Sequence, residues 1–157
     1  MRKACIICDI DGVYTDSTEW SMYLPKSQDR EEWDAFGKKC NLCKPNKPII
    51  RIIQAFNKIL PILFITGRGC TAGVRKETKR QISDFSNGTV NAGRLQNNKL
   101  FMRKLNDFRE AWEVKEEILK KEVLPYYVPI MAIDDDPDNV EMFRKNGIFT
   151  WYYKIKR

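Results

Sequence analysis

Hydrophobic positions along the chain fall into two alternating patterns. Ala4 to Cys8 is a short, unbroken apolar run bounded by charge, the signature of a strand buried on both faces. Similar runs at Ile62 to Ile65, Lys99 to Met102, Val128 to Ile133 and Ile148 to Tyr153 predict further strands. Between these runs the apolar residues recur at intervals of three and four. From Pro48, suited to the first turn of a helix, Ile49, Ile52, Ile53, Phe56 and Ile59 share one helical face. Thr71 to Phe85 predicts a basic helix. Glu110 to Leu124 predicts another, with one stripe of Ala111, Val114 and Ile118 beside a second of Trp112, Leu119 and Val123. Pro137 to Lys145 predicts a short helix closed by Asn146 and Gly147. Residues 12–47 hold few periodic apolar positions, and only a short helix over Arg30 to Lys39, carrying Trp33 and Phe36, is expected there.

Strands alternating with helices imply βαβ units, hence an α/β fold with a central parallel sheet covered on both faces. The 157 residues fit one domain, long enough to bury about two-thirds of the surface of the unfolded chain. Ligands of such sheets bind outside the carboxyl ends of the strands. Asp9 with Asp11, Thr66 with Arg68, and Asp134 with Asp135 each follow a predicted strand, so they are expected along one edge, facing one cleft.

Composition narrows the class. The longest apolar run, Ile59 to Ile65, spans seven residues, too few to cross a bilayer. The apolar stretch after Arg2 and Lys3 ends at Asp9, too early for an export signal. A cytoplasmic, reducing setting with no membrane partner is therefore expected. Five cysteines, an odd number, argue against a disulfide framework. Two C-x-x-C spacings raise a zinc site, but Cys5 and Cys8 lie three apart on a strand and point to opposite faces. Core packing accounts for those two, while Cys40 and Cys43 fall in a loop region with either role open. The excess of 28 Lys and Arg over 21 Asp and Glu favours an anionic partner, with clusters at Arg75, Lys76, Lys79 and Arg80, at Arg103 and Lys104, and from Lys154 to Arg157.

The acidic pairs change this picture most. Asp9 and Asp11, two apart at a strand end, can address one ligand, and Gly12 lets the chain turn away sharply. With Asp134 and Asp135 they make four carboxylates that repel one another unless a cation sits among them. The chain has no histidine, so the ligands offered are hard oxygens, which suit Mg2+. Helix capping explains each acid singly but not their shared edge. A carboxylate-bound Mg2+ favours a phosphate ligand, for which Lys115, Arg68 and the Thr66 hydroxyl supply charge and donors. No Walker-type or G-x-G-x-x-G loop occurs. The remaining route is a carboxylate nucleophile: Asp9 attacks phosphorus, while Asp11 protonates the leaving oxygen and later takes a proton from water.

This set of D-x-D-G-V after the first strand, I-T-G-R after the second, a helix lysine and a D-D pair after the fourth resembles the haloacid dehalogenase (HAD) superfamily of phosphotransferases across nearly the whole chain. The resemblance implies a Rossmann-like, three-layer sandwich, with Asp9 as nucleophile and Asp11 as acid/base. It also implies that the backbone carbonyl at Asp11 binds Mg2+, that Thr66 and Lys115 hold the phosphoryl group, and that Asp135 is a metal ligand beside Asp134. The stretches Leu100 to Lys104, Glu113 to Leu119 and Ala132 to Asp136, followed by Val140 to Phe143, are similar to the 3′-phosphatase domain of phage-type polynucleotide kinase/phosphatase enzymes. That likeness implies Arg68, next to Gly67, in substrate binding, and a nucleotide or nucleic-acid 3′ end as substrate. The chain departs from the family pattern at Ala111 and Trp112, where acidic residues are common, and at Asn139, where an aspartate is common.

The 35 residues between Gly12 and Pro48 are too few for a large cap domain, so a small insert and an open cleft are expected. Trp20, Tyr23, Trp33 and Phe36 in it could stack a base, or pack the insert against the sheet. A phosphatase of small phosphorylated metabolites and an inactive phosphate- or nucleic-acid-binding module stand as alternative functions.

Overall fold

In the computed structural model, which describes residues 1–27, 29–92 and 98–155, the first apolar run forms strand β1 (Lys3–Cys8) in the middle of the main sheet. The insert follows with strand β2 (Thr15–Asp16), helices α1 (Thr18–Ser21) and α2 (Arg30–Lys38), a 3-10 turn (Lys39–Leu42) and strand β3 (Lys44–Pro45). Helix α3 (Lys47–Asn57), strand β4 (Ile62–Gly69), helix α4 (Ala72–Phe85) and strand β5 (Lys99–Arg103) build one half of the sheet. Helix α5 (Ala111–Ile118), continuing into a π turn (Leu119–Val123), strand β6 (Tyr127–Asp134), helix α6 (Pro137–Lys145) and strand β7 (Thr150–Tyr152) build the other.

The five strands run in the order β5-β4-β1-β6-β7, every pair parallel, an HAD-like arrangement of the Rossmann type. From β1 the chain moves outward to β4 and β5, then returns to place β6 on the other side of β1. The order reverses between β1 and β6, which opens a crevice beyond their carboxyl ends.

Alternation along the strands divides the core. One face of the sheet carries Ile6, Cys8, Ile62 and Phe64, packed with Ile49, Ile50 and Ile53 of α3 and Val74 and Ile82 of α4. The other carries Cys5, Ile7, Leu63 and Ile65 beneath Leu119 and Val123 of the π turn and Met142 and Phe143 of α6. Cys5 and Cys8 thus fall into different cores, as their spacing requires. Burying a side chain such as Phe64 contributes about 2–3 kcal/mol, so each layer is held chiefly by apolar area.

Several boundaries differ from the sequence expectations. Helix α3 stops at Asn57, leaving Ile59 75% exposed, because Pro61 follows too closely for the helical period to continue. The helix from Ala111 widens into a π turn at Leu119, with Leu124 donating five residues back to Leu119, and the wider turn keeps Leu119 and Val123 inside. Strand β4 runs through Thr66 and Arg68 to Gly69, because a register shift lets Gly69 continue the pairing with Arg103. Among the described residues no helix is long and apolar enough to cross a membrane. Of the basic C-terminal cluster, Lys156 and Arg157 lie outside the described residues.

The insert is tied down at its neck. Tyr14 is fully buried, packs edge-on against Phe64 at 5.2 Å and donates its hydroxyl to Ile82 O at 2.8 Å. Asn46 donates Nδ2 to Val13 O at 2.6 Å, and β2 and β3 pair antiparallel beside it. Residues 13–47 therefore leave and rejoin the sheet at one point, above the carboxyl end of β1.

Candidate active site

Asp9 is the first residue beyond β1, and its N–H donates to Ile133 O of β6 at 3.0 Å, which fixes it over the crevice. Lys115, in the second turn of α5, is buried and reaches back across the sheet end. Its Nζ donates to Asp9 Oδ1 at 2.8 Å and to Asp134 Oδ2 at 2.7 Å. The start of α5 is set by a reciprocal capping box between Glu110 and Glu113. Asp134 Oδ1 takes the remaining donors, Asp136 N at 3.1 Å and Asn139 Nδ2 at 3.0 Å. Asp136 caps α6 by accepting from Asp138 N and Asn139 N, so capping accounts for this acid and not for its neighbours.

Asp9, Asp134 and Asp135 each offer a carboxylate oxygen, and the three oxygens lie within 4.8 Å of one another. Gly12 makes this approach of Asp135 feasible. It has φ of +80°, and a Cβ there would stand 2.6 Å from Cγ of Asp135 and closer still to Oδ2. Burial pushes the Asp9 carboxyl well above its usual range; Lys115 opposes this, and Asp134, Asp135 and Asp11 add to it. Asp135 is pushed up to about 7 by burial and then by Asp134. Burial alone would favour neutral Lys115, but Asp134 and Asp9 outweigh it and hold the ammonium charged. One ammonium among three carboxylates leaves the cluster short of positive charge. Hard oxygen donors, a glycine-lined approach and the buried, unpartnered Asn139 Oδ1 beside Asp134 together fit a small divalent cation such as Mg2+.

Asp11 points elsewhere. Its carboxylate takes Arg68 Nε at 2.9 Å and Nη2 at 2.6 Å, and it is not among the three that converge. The sequence expectation of four carboxylates around one cation thus meets three, because the guanidinium draws the fourth aside. Arg68 is itself buried, and its other donors reach Thr78 Oγ1 at 3.0 Å, Gln81 Oε1 at 2.7 Å and Cys43 Sγ at 3.5 Å. All five N–H groups are engaged by protein side chains, while Arg68 also lines the cleft. Burial works against the Arg68 charge, and Asp11 restores and exceeds it. Cys43 is pushed up to about 12 by burial and by Asp11, an inert thiol packed under the clamp.

Thr66 lines the crevice with its Oγ1 accepting from Arg68 N at 3.2 Å, and the Gly67 carbonyl accepts from Arg103 Nε at 2.9 Å. One cleft of about 430 Å3 takes in Asp9, Asp11, Thr66, Gly67, Lys115 and Asp135. Of the insert aromatics, Trp20 and Phe36 stack on each other at 4.1 Å, and Tyr23 lies under the Lys39 ammonium. Trp33 packs edge-on against Phe36 and also lines the cleft.

Sequence reasoning did not anticipate Thr78, Gln81 and Cys43 as partners of Arg68, nor Arg103 as a brace. Thr78 and Gln81 are polar positions three apart on the inner side of α4, a signal legible only once the target of that face is known. Near Ala111, the acids Asp107 and Glu113 are already engaged, with Arg109 and with the capping box.

A profile of the family described as "Polynucleotide kinase PNKP phosphatase domain" matches residues 3–154. No curated protein matches the chain significantly. Among solved structures, a chain of the Pnkp1/Rnl/Hen1 RNA repair complex superposes with a TM-score of 0.70 at 19% identity, covering 97% of this chain and 42% of that one. A second Pnkp1/Rnl/Hen1 complex gives 0.72 at 18% identity, covering 97% and 46%. The haloacid dehalogenase-like hydrolase SP0104 from Streptococcus pneumoniae gives 0.56 at 13% identity, covering 95% and 83%. This chain therefore spans less than half of the two repair-complex chains, and at these identities the likeness is one of fold.

Proposed function

Because the chain belongs to the family of PNKP-type, HAD phosphatase domains, we propose that it is an Mg2+-dependent phosphomonoesterase that removes phosphate from nucleotides or polynucleotide 3′ ends through an aspartyl-phosphate intermediate. The single observation that carries the mechanism is the buried Lys115 bridge between Asp9 and Asp134, with Asp135 alongside. Lys115 holds Asp9 Oδ1, which leaves Oδ2 as the oxygen available to attack. The attack forms an O–P bond and breaks the bond to the leaving oxygen, whose electron pair takes a proton from Asp11. Water then attacks the aspartyl phosphate, gives its proton to Asp11, and releases inorganic phosphate with Asp9 restored. Arg68 holds the Asp11 carboxylate at the cleft wall, aside from the three converging acids, so the acid/base step requires that pairing to loosen, while Thr66, Gly67 and Lys115 line the place of the phosphoryl group. Asp9, Asp134, Asp135 and the Asp11 carbonyl would hold Mg2+, which would supply charge stabilisation for the phosphoryl oxygens.

Residues 1–157 act in this reading as one phosphatase domain, with residues 13–47 as a small cap over an otherwise open cleft. The net charge of +7 and the repair-complex chains sharing the fold support a nucleic-acid end as substrate. The test is phosphate release in Mg2+ from 3′-phosphorylated oligonucleotides, mononucleotides and sugar phosphates, with Asp9→Asn as control. Release from oligonucleotides that vanishes in Asp9→Asn is the expected result. Equal release by the variant would sink the nucleophile assignment, and release from sugar phosphates alone would move the substrate to small metabolites. No release from any substrate would leave a binding module.

A further inference from the structure

Beside the reacting groups the cleft carries apolar side chains that the chemistry proposed above does not use. Leu24 of the insert is 55% exposed, and Leu105 and Phe108, in the loop between β5 and α5, are 49% and 39% exposed; all three line the same cleft as Trp33. Apolar side chains gathered at a concave site, rather than scattered, mark a binding surface.

The loop that carries Leu105 and Phe108 is built to keep them there. Arg103, at the end of β5, donates Nε to Gly67 O at 2.9 Å and Nη1 to Asp107 O at 3.0 Å and Arg109 O at 2.5 Å, pinning both loop and strand end to one guanidinium. Asn106 takes the left-handed conformation, with φ of +62°, that turns the loop. Arg109 donates to Asp107 Oδ2 and to Glu117 Oε2 of α5, each at 2.6 Å. On the insert, Trp33 is fixed by its indole N–H donating to Ser27 O at 2.8 Å and by its edge-on contact with Phe36. Braced in this way, Leu105 and Phe108 keep part of their apolar surface exposed along the cleft.

We propose that Leu24, Trp33, Leu105 and Phe108 form a collar that holds the nucleobase next to the scissile phosphate, and that this contact selects nucleoside phosphates over other phosphomonoesters. The proposal rests on the phosphatase reading, which puts a phosphate on the floor beneath the collar. A cavity of about 430 Å3 is far larger than a phosphate and falls in the range of ligand pockets, about 300–1,000 Å3. The cavity thus has room for the group attached to the phosphate, and the apolar and aromatic side chains along it suit the flat face of a base. Asp34, Asn106, Asp107 and Glu110 line the same cleft with Arg30, Lys104 and Arg109, and Asp34 and Asp107 are paired with Arg30 and Arg109. The collar grips a base by its face, through stacking common to all bases.

The test compares kcat/KM on two oligonucleotides ending in the same 3′-phosphate, one with a terminal base and one abasic there, with glycerol 2-phosphate as a baseless small substrate. Wild type is expected to prefer the base-bearing end by roughly 5- to 150-fold, with purines and pyrimidines alike. Phe108→Ala and Leu105→Ala, both at exposed positions, lower kcat/KM on the base-bearing end more than on the abasic end or glycerol 2-phosphate, and so shrink that preference. Equal use of both ends by wild type, or equal losses on both in Phe108→Ala, overturns the collar alone. Release from glycerol 2-phosphate but from neither oligonucleotide overturns the collar together with the nucleic-acid reading, and no release from anything overturns the phosphatase reading beneath both.

Discussion

Gly12→Ala separates the stability of the fold from the competence of the carboxylate cluster. An alanine at φ of +80° costs about 1–2 kcal/mol of backbone strain. Its Cβ also stands 2.6 Å from Cγ of Asp135, where ordinary contact needs about 3.5 Å, so the carboxylate must withdraw by about 1 Å. Asp135 is the flexible end of a side chain and can swing away, which keeps the steric part of the cost small. Withdrawal also takes Asp135 away from Asp134, the charge that, after burial, most raises its pKa, and so relieves repulsion. The metal-free protein is therefore expected to lose only about 1 kcal/mol.

Mg2+, if held as proposed, is expected to reverse that balance. At a hundred times Kd, bound metal stabilises the wild type by about 2.7 kcal/mol, and a tenfold weaker site removes about 1.4 kcal/mol of it. Urea unfolding of both proteins, with and without Mg2+, reads the increment directly. A smaller increment in Gly12→Ala, together with a fall in kcat on the order of 100-fold, is expected. The reasoning fails if the variant keeps the full wild-type increment. It fails equally if the metal-free variant loses more than about 4 kcal/mol, since the damage would then lie in the fold.

Lys115→Met leaves Asp9 and Asp134 buried without their shared cation, and urea unfolding of the metal-free protein should show a loss of about 3–5 kcal/mol; a loss under about 1 kcal/mol would contradict the bridge. Arg68→Lys keeps a charge but cannot reach Asp11, Thr78, Gln81 and Cys43 together, so kcat should fall with KM nearly unchanged, whereas a rise in KM alone would return Arg68 to substrate binding. Asp107 is lowered to about 2 by its hydrogen bond from Arg109, below the unfolded value near 4. The unfolded chain binds the proton first, so this stabilisation is present above about pH 4 and is lost as pH falls toward 2. Asp107→Asn should flatten that part of the thermal-unfolding profile, and an unchanged slope would refute the pairing.

The sheet and the acids at its edge were legible because both follow from short-range rules. Apolar runs bounded by charge locate β1, β4 and β6, and the strand-end rule then brings Asp9, Asp134 and Asp135 to one crevice without any knowledge of loops. Asp11 shows where that rule stops. Its side chain is equally close to the strand end, but its direction is set by Arg68, fifty-seven residues later, which is aimed by Thr78 and Gln81 of a different helix. The insert was the least legible part. Trp20 and Phe36 stack face to face through a contact sixteen residues apart, with no period to announce it, and β2 and β3 pair over two residues each.

The charges of the cleft explain why a basic protein concentrates acids at its centre. Its two buried cations near the reacting position are both committed, Lys115 to Asp9 and Asp134, and Arg68 to Asp11. Neither carries spare charge to neutralise an incoming phosphate dianion, and three carboxylates on the floor would repel it. In the proposed reaction the charge that admits the phosphate would come from a cation held by those same carboxylates. The acids would then favour phosphate binding instead of opposing it, and the protein's excess of Lys and Arg would act at longer range, on the rest of the anionic substrate proposed above.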